Sequence, residues 1–297
     1  MPQVTDPLPC PACESTRTTV GPKSHTRFQI VATCKDCGAA WLTNPPEDQT
    51  SYSVDEVRED YVDVWVDNKR ETVGTNEWRL QLDWLKDVLG GSDAEVYDIG
   101  AGDGEFLALA REEYGFRVGG NDILEGAVLT AKKRYDVDLD LGDLSTLEDR
   151  DKVDAVTMWC VLAHTSDADS MVGGVSGILK PGGRLFIQTP HRTAADRAFI
   201  GAKNLSGGRW SRLSDRRLAV HHRMLHTTRS VTALLKRHGF TDIEVTPKAR
   251  YSLSSEAYLA SLKTPKWALG PAAKAMDLAI TGPLAPRIVL DVRARKA

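Results

Sequence analysis

Four of the five cysteines of this 297-residue chain fall in two pairs, Cys10-x2-Cys13 and Cys34-x2-Cys37, with Gly38 directly after the second. Each pair sets two thiolates on one tight turn, and the chain between them returns the second pair to complete a tetrahedron. Four thiolates leave no open coordination position, so the expected ion is a structural Zn2+. Two disulfides are the competing account, which a reducing compartment disfavours. Thr26 to Thr33 alternates enough to be the returning strand. The fifth cysteine, Cys160, follows the apolar run Val153–Trp159 and reads as a core residue near the site inferred next.

Val96-Tyr-Asp-Ile-Gly-Ala-Gly-Asp-Gly104 carries the second chemistry. A short apolar strand runs into glycines at alternate positions, Gly100, Gly102 and Gly104, and a helix-like run starts at Glu105. Such glycines permit a sharp turn and clear the ligand's side of Cβ atoms. A dinucleotide fingerprint needs its third glycine one position later, where Glu105 stands. Asp98 ahead of the turn suits a cation better than a pyrophosphate. The ligand inferred is S-adenosylmethionine, whose methionyl ammonium is positive; the bland alternative is a glycine-rich turn of some other α/β protein.

These residues need a scaffold, and the chain is long enough for one α/β domain with an appendage. Apolar content of 41% and charged content of 27% describe a globular chain with material for a core. No apolar run approaches ~18 residues, so no membrane span is predicted. Met1-Pro-Gln-Val-Thr-Asp lacks a basic and then apolar leader, which makes the cytoplasm the expected compartment. Residues 1–46 read as the ribbon, 47–90 as an acidic helical linker, and 91–297 as the main domain. In the linker Trp65, Trp78, Leu80, Leu82, Trp84 and Leu85 are the expected buried contacts.

Strands are predicted over Glu95–Ile99, Arg117–Asn121, Val137–Leu141, Val153–Trp159 and Arg184–Gln188, with helices between them. Ser230–His238 reads as a further helix, then Asp242–Thr246 and Arg287–Val292 as strands. This rhythm implies a doubly wound parallel sheet of Rossmann type. Lys180-Pro-Gly-Gly is the expected turn into the fifth strand. Residues 190–228 read as a long basic loop, and 252–284 as a helical insertion that packs as core or as a dimer contact.

The net charge of −3 hides an asymmetry. Acids crowd residues 47–93, among them Asp55, Glu56, Glu59, Asp60, Asp63 and Asp67, and bases crowd 192–238. The basic block is a solvated face, a partner for the acidic segment, or a collector of an anionic substrate.

Taken together, ribbon, glycine turn and strand order resemble a class I S-adenosylmethionine-dependent methyltransferase, nearest the methyltransferase-domain subgroup with an N-terminal zinc ribbon. Cys-Pro-Ala-Cys and Cys-Lys-Asp-Cys-Gly match its ribbon, and Tyr52 and Tyr61 resemble its tyrosine-bearing linker. Asp98 to Gly104, Ala101 included, match its first motif. Gly120-Asn-Asp122, with Ile123 beside it, matches the strand end that holds the ribose hydroxyls. Gly142-Asp143-Leu144 matches the segment at adenine, and Leu179-Lys-Pro-Gly-Gly-Arg-Leu with Thr189-Pro190 the fifth-strand motif. Trp210, His222 and the helix start at Thr227 match its Trp, His and following helix, and Arg287 to Lys296 its closing strand. Three positions depart. Ala163-His164 stands where the family often has Glu-His, His226 replaces an aromatic residue, and Glu14 replaces a glycine after the first knuckle.

The resemblance implies a seven-stranded sheet and a methyl transfer in which the cofactor brings the reactivity and the protein orients the acceptor and often supplies a base. Asp122 would accept from the ribose hydroxyls, Asp143 from the adenine amine and Asp98 from the ammonium, each having helix capping as its plain alternative. His164, just past the fourth strand, is the candidate base, and His222 a residue on the acceptor side. His221, His222 and His226 also have spacings like those of metal ligands. Trp159, beside the cofactor, Trp210 and Arg192 are candidate pocket residues. The leading expectation is transfer to an O or N of a small, sugar-bearing or anionic biosynthetic intermediate, by a monomer or homodimer. An RNA or protein methyltransferase and a silent binding protein are the alternatives, and the slight acidity argues against nucleic acid.

Overall fold

The computed structural model describes residues 8–45, 72–91, 93–144, 152–165, 167–218, 222–249, 255–256, 259, 264–282 and 285–297. Tyr52, Tyr61, Trp65, His221 and the acidic cluster of residues 55–67 lie outside them. Among the described residues no helix is long and apolar enough to cross a membrane.

The main sheet is built from β4 (Glu95–Ile99), β5 (Arg117–Asp122), β6 (Asp140–Leu141), β7 (Val153–Trp159), β8 (Leu179–Pro190), β10 (Phe240–Lys248) and β11 (Val289–Lys296). Its order is β10-β11-β8-β7-β4-β5-β6. β4 pairs in parallel with β5 and β7, as do β5 with β6 and β7 with β8, whereas β11 runs antiparallel to β8 and β10. The chain therefore winds outward from β4 in one direction and from β7 in the other, leaving a switch point between their carboxyl ends, where ligands bind in open α/β sheets. This is the doubly wound, seven-stranded sheet that the sequence pattern implies.

Helices α1 (Thr72–Leu89), α2 (Glu105–Tyr114), α3 (Glu125–Tyr135) and α4 (Ala168–Ile178) accompany the parallel half. On α1, Trp78, Leu82 and Leu85 recur at helical spacing and are buried with Phe106, Leu107 and Ala110 of α2. Leu80, expected inside, lies off that stripe and is exposed. The third strand is shorter than predicted: Asp136 closes α3 at φ 51°, and Val137 N–H bonds back to Ala131 O, so pairing starts only at Asp140. Lys180-Pro-Gly-Gly forms a wide irregularity inside β8, between Val153↔Leu179 and Ala155↔Arg184, with Gly182 at φ 80°.

The ribbon sheet holds β1 (Thr18–Val20), β2 (Val31–Cys34), β3 (Ala40–Leu42) and β9 (Met224–Leu225), in that order. The returning strand expected from Thr26 starts only at Val31, because Phe28 turns the chain at φ 58°. β9 comes from the other end of the chain and pairs with β3 through Ala40↔Leu225 and Trp41↔Met224.

Residues 190–228 are not the loop that their polarity suggests. They form α5 (Ala194–Leu205) and α6 (Arg212–Arg217) before β9. Thr193 and Asp196 close a capping box at the start of α5, a local signal overlooked behind the charge. α7 (Thr228–Arg237) follows under a second box, Thr227 with Ser230, and α8 (Lys266–Thr281) lies in the predicted insertion with Pro271 inside it.

Candidate functional site

The glycine turn leaves β4 at the switch point. Gly100, Gly102 and Gly104 have φ of 66°, 61° and 77°, the left-handed region a side chain disfavours. A Cβ on Gly100 would meet Val161 Cγ2 at 2.6 Å, and one on Gly104 would meet Ala131 Cβ at 2.8 Å. Ala101 N–H donates to Asn121 O at 2.9 Å, which ties the turn to β5.

Asp98 is buried at the end of β4, and its Oδ1 accepts from Thr157 Oγ1 on the neighbouring strand at 2.6 Å. Asp122 ends β5; its Oδ2 accepts from Gly102 N–H and its Oδ1 from Leu124 N–H, both at 2.9 Å. It thus braces the turn and holds Leu124 ahead of α3, without capping that helix, whose N-cap Leu124 has no side-chain cap. Asn121 Nδ2 donates to Gly142 O and Gly142 N–H to Asp122 O, which brings Asp143 and Leu144 alongside. Asp143 and Ile123 are exposed, and Leu144 is buried against Gly174. Every residue assigned to the cofactor from the sequence except Trp159 therefore lies along the carboxyl ends of β4, β5 and β6.

Trp159 ends β7, its ring centroid 4.7 Å from Phe186, 5.4 Å from Phe106 and 6.4 Å from Trp78. Its indole Nε1 is buried with no protein partner, a donor facing inward beside the turn.

One residue further, the chain makes a second turn. Cys160 sits at φ 66°, and its N–H donates to Gln188 O at 2.9 Å. His164 N–H bonds back to Val161 O at 2.8 Å. Ala163 O accepts from Arg223 N–H at 2.8 Å and from Met224 N–H at 3.3 Å, which sews the segment before β9 onto this turn. His222 is thereby set against His164, their ring centroids 5.2 Å apart, and the ligand atoms of Cys160, His164 and His222 all lie within 4.8 Å of one another.

Here the structure corrects two readings. His222 and His226 do not form a ligand pair: the chain between them is extended through β9, and spacing of four aligns side chains only on a helix. His226 is wholly buried, with Nδ1 3.3 Å from Ser230 Oγ, Nε2 unpartnered, and a pKa pushed down to about 4 by burial. Cys160, read as a core cysteine, is half-buried and belongs to the histidine cluster.

The ribbon cysteines converge with Cys10 Sγ 3.5 Å from Cys37 Sγ and Cys13 Sγ 3.7 Å from Cys34 Sγ, all four within 4.8 Å. None is in a disulfide. The hydrogen bond from Cys37 brings the Cys10 thiol down to about 5, while Cys37 itself is raised by that bond and by burial. Four sulfurs at this spacing fit a tetrahedral zinc ion with no open position.

Four residues of the basic block are engaged with the ribbon and the fold, while Arg197, Arg209, Arg212, Arg216, Arg229 and Lys236 are exposed. Buried Arg192 donates to Gly38 O at 2.7 Å, Arg237 to Pro11 O and Ala12 O at 3.2 Å, and Thr227 Oγ1 to Cys37 O at 2.5 Å. Lys203 is wholly buried and donates to Gln29 O at 3.0 Å, burial lowering its pKa. Arg217 clasps Asp196 at 2.9 Å and His191 O at 3.0 Å. Arg192, expected in an acceptor pocket, is thus a clamp on the second knuckle. Trp210 is 73% exposed on the surface beyond α5.

Residues 76–245 match a family model described as a methyltransferase domain. A ubiquinone biosynthesis O-methyltransferase from Stutzerimonas stutzeri is 28% identical over 149 residues, which are 47% of this chain and 64% of that one. Another of the same name from Xanthomonas oryzae pv. oryzae is 29% identical over 136 residues, 43% of this chain and 56% of that one. The chain thus spans less than two thirds of the length of these relatives. A geranyl diphosphate C-methyltransferase from Streptomyces coelicolor, solved with S-adenosyl-L-homocysteine, superposes with TM-score 0.50 at 16% identity, covering 74% of this chain and 79% of that one. At that identity the likeness speaks for the fold.

Proposed function

The chain belongs to the methyltransferase-domain family, and on that premise we propose that it transfers the methyl group of S-adenosylmethionine to an oxygen or nitrogen of a small-molecule acceptor. The observation carrying this reading is that the glycine turn after β4 and the Cys160–His164 turn after β7 pack directly on each other, through Gly100 and Val161, at the switch point. One turn suits the cofactor. Its glycines carry no side chains, and the carboxylates of Asp98 and Asp122 stand at the strand ends beside it. The other presents polar groups where an acceptor would meet the methyl.

When bound, the cofactor supplies an electrophilic sulfonium methyl, and the acceptor attacks it in line. The chain's own contribution is to hold both partners and to manage the acceptor's proton. His164 and His222 are the side chains we assign to that task. Oxygen is the acceptor atom favoured here, because the relatives found by sequence are named as O-methyltransferases. Arg192, Lys203, Arg217 and Arg237 are already engaged and are not available to an anionic acceptor.

Calorimetry with S-adenosylmethionine tests the first half of this reading. Micromolar binding by the wild type should weaken about 100-fold in Asp122→Ala, the loss expected for two hydrogen bonds to a carboxylate. A folded wild type that takes up no cofactor would sink the reading.

A further inference from the structure

We propose that Cys160, His164 and His222 form a second metal site, a thiolate and two imidazoles holding a zinc-class divalent ion with one position open to solvent. The three ligand atoms already lie within 4.8 Å of one another. Around a tetrahedral ion with bonds of about 2.3 Å to sulfur and about 2.0 Å to nitrogen, such atoms stand roughly 3.3–3.8 Å apart. From that ceiling the gap to close is at most about 1.5 Å, and His164 is exposed.

The geometry has the features of a ligand set. His222 Nδ1 lies 3.0 Å from Arg217 O. A carbonyl only accepts, so Nδ1 carries the proton and Nε2 is left with its lone pair. Metal-bound histidines are oriented in this way, by a backbone carbonyl on the far nitrogen. Cys160 holds a left-handed φ of 66° in a position that is not glycine, a conformation costing on the order of 1 kcal/mol or more. Its N–H bond to Gln188 O and the hydrogen bonds that Arg223 N–H and Met224 N–H donate to Ala163 O keep the turn in that shape.

The donors also select the ion. One sulfur and two imidazole nitrogens are too soft for Mg2+ or Ca2+ and suit Zn2+, Co2+ or Fe2+. Three protein ligands with a vacant fourth position are the arrangement of zinc sites that engage a substrate, unlike the closed four-thiolate set of the ribbon. Val161 joins this cluster to the cofactor turn, so an ion held here would lie near the place where methyl and acceptor meet. The ion would then lower the pKa of an acceptor hydroxyl at its open position, whose proton would leave to solvent, and the two imidazoles would hold the ion rather than take the proton themselves. That the fourth ligand is an acceptor hydroxyl rests on the methyltransferase reading; binding of the ion does not.

The test is metal stoichiometry on the full chain, by elemental analysis after Zn2+ loading and by absorption after Co2+ loading. The wild type should hold two equivalents. Cys160→Ser, His164→Ala and His222→Ala should each hold one, with the second ion bound at least 100-fold more weakly. The one-thiolate charge-transfer band should vanish in Cys160→Ser while the stronger four-thiolate bands remain. Cys34→Ala should lose the ribbon ion, and His164→Ala, altered at an exposed side chain, guards against a result caused by misfolding. A wild type that holds one equivalent, or variants that all keep two, would overturn the site. S-adenosylmethionine calorimetry runs alongside: absent cofactor binding with two ions present would fail the methyltransferase reading and leave the metal site standing.

Discussion

Among the described residues metal-ligating side chains gather in two places, four cysteines in one and a cysteine with two histidines in the other, and the two differ in almost every physical respect. The ribbon cluster is built from two short-range pairs, carries four cysteines and is roofed by Arg192, Thr227 and Arg237. The cluster after β7 is built from Cys160 and His164 on one turn and His222 from 58 residues further on, and it is open to solvent. The first has the geometry of a staple and the second, on the function proposed above, that of a working surface. The difference teaches that the same element types mean opposite things according to how completely the chain encloses them.

The comparison is most severely tested at Cys34. Cys34→Ala should release the ribbon ion, and with it the folding free energy that structural zinc supplies, on the order of 10 kcal/mol for isolated fingers. Elemental analysis and limited proteolysis should show one ion lost and cleavage within residues 8–45, while α2 and the main sheet stay protected. A protease-resistant, fully metallated variant would remove the staple reading.

A smaller effect is expected at His226, in the seam between the clusters. Burial keeps it neutral, with a folded pKa near 4 against 6.5 in the unfolded chain. The unfolded state therefore binds more protons between those values, and stability, full above about pH 6.5, falls as the pH drops toward 4, by about 3 kcal/mol in all. His226→Phe should flatten the denaturant midpoint across pH 4–6.5 relative to wild type. Parallel pH profiles would show that this histidine is not the group responsible.

Arg192→Met comes next. It keeps volume but removes the charged donor to Gly38 O, a bond worth about 2 kcal/mol. Thermal melts should drop by a few degrees, and the ribbon should become the first region to exchange its amide hydrogens. The smallest stability effect is expected at His164: His164→Ala touches an exposed side chain, so the melt should stay within about 0.5 kcal/mol of wild type. Turnover on a methyl acceptor should nonetheless fall by roughly 100-fold or more, without loss of cofactor affinity. A large destabilisation there would make the second cluster another staple.

The two clusters were also unequally legible in the sequence. A tight turn needs only neighbours, so Cys-x2-Cys twice over and glycines at 100, 102 and 104 announce themselves in a few residues. Strands β4 and β7 were equally plain, because a strand buried on both faces is a short apolar run. The basic block misled. Counting charges over residues 192–238 cannot show that Arg192, Lys203 and Arg237 point inward at ribbon carbonyls, and the polarity that suggested a loop hid the capping boxes of α5 and α7.

By itself, then, the sequence determined the sheet, the glycine turn and the four-cysteine cluster, since each is written in local spacing or local periodicity. Only the tertiary structure decided that His222 belongs with Cys160 and His164 rather than with His226. That choice rests on Ala163 O accepting the backbone N–H groups of Arg223 and Met224, and on β9 pairing with the ribbon's β3. Such contacts join segments far apart in the chain, and no local pattern of residues encodes which of them will close.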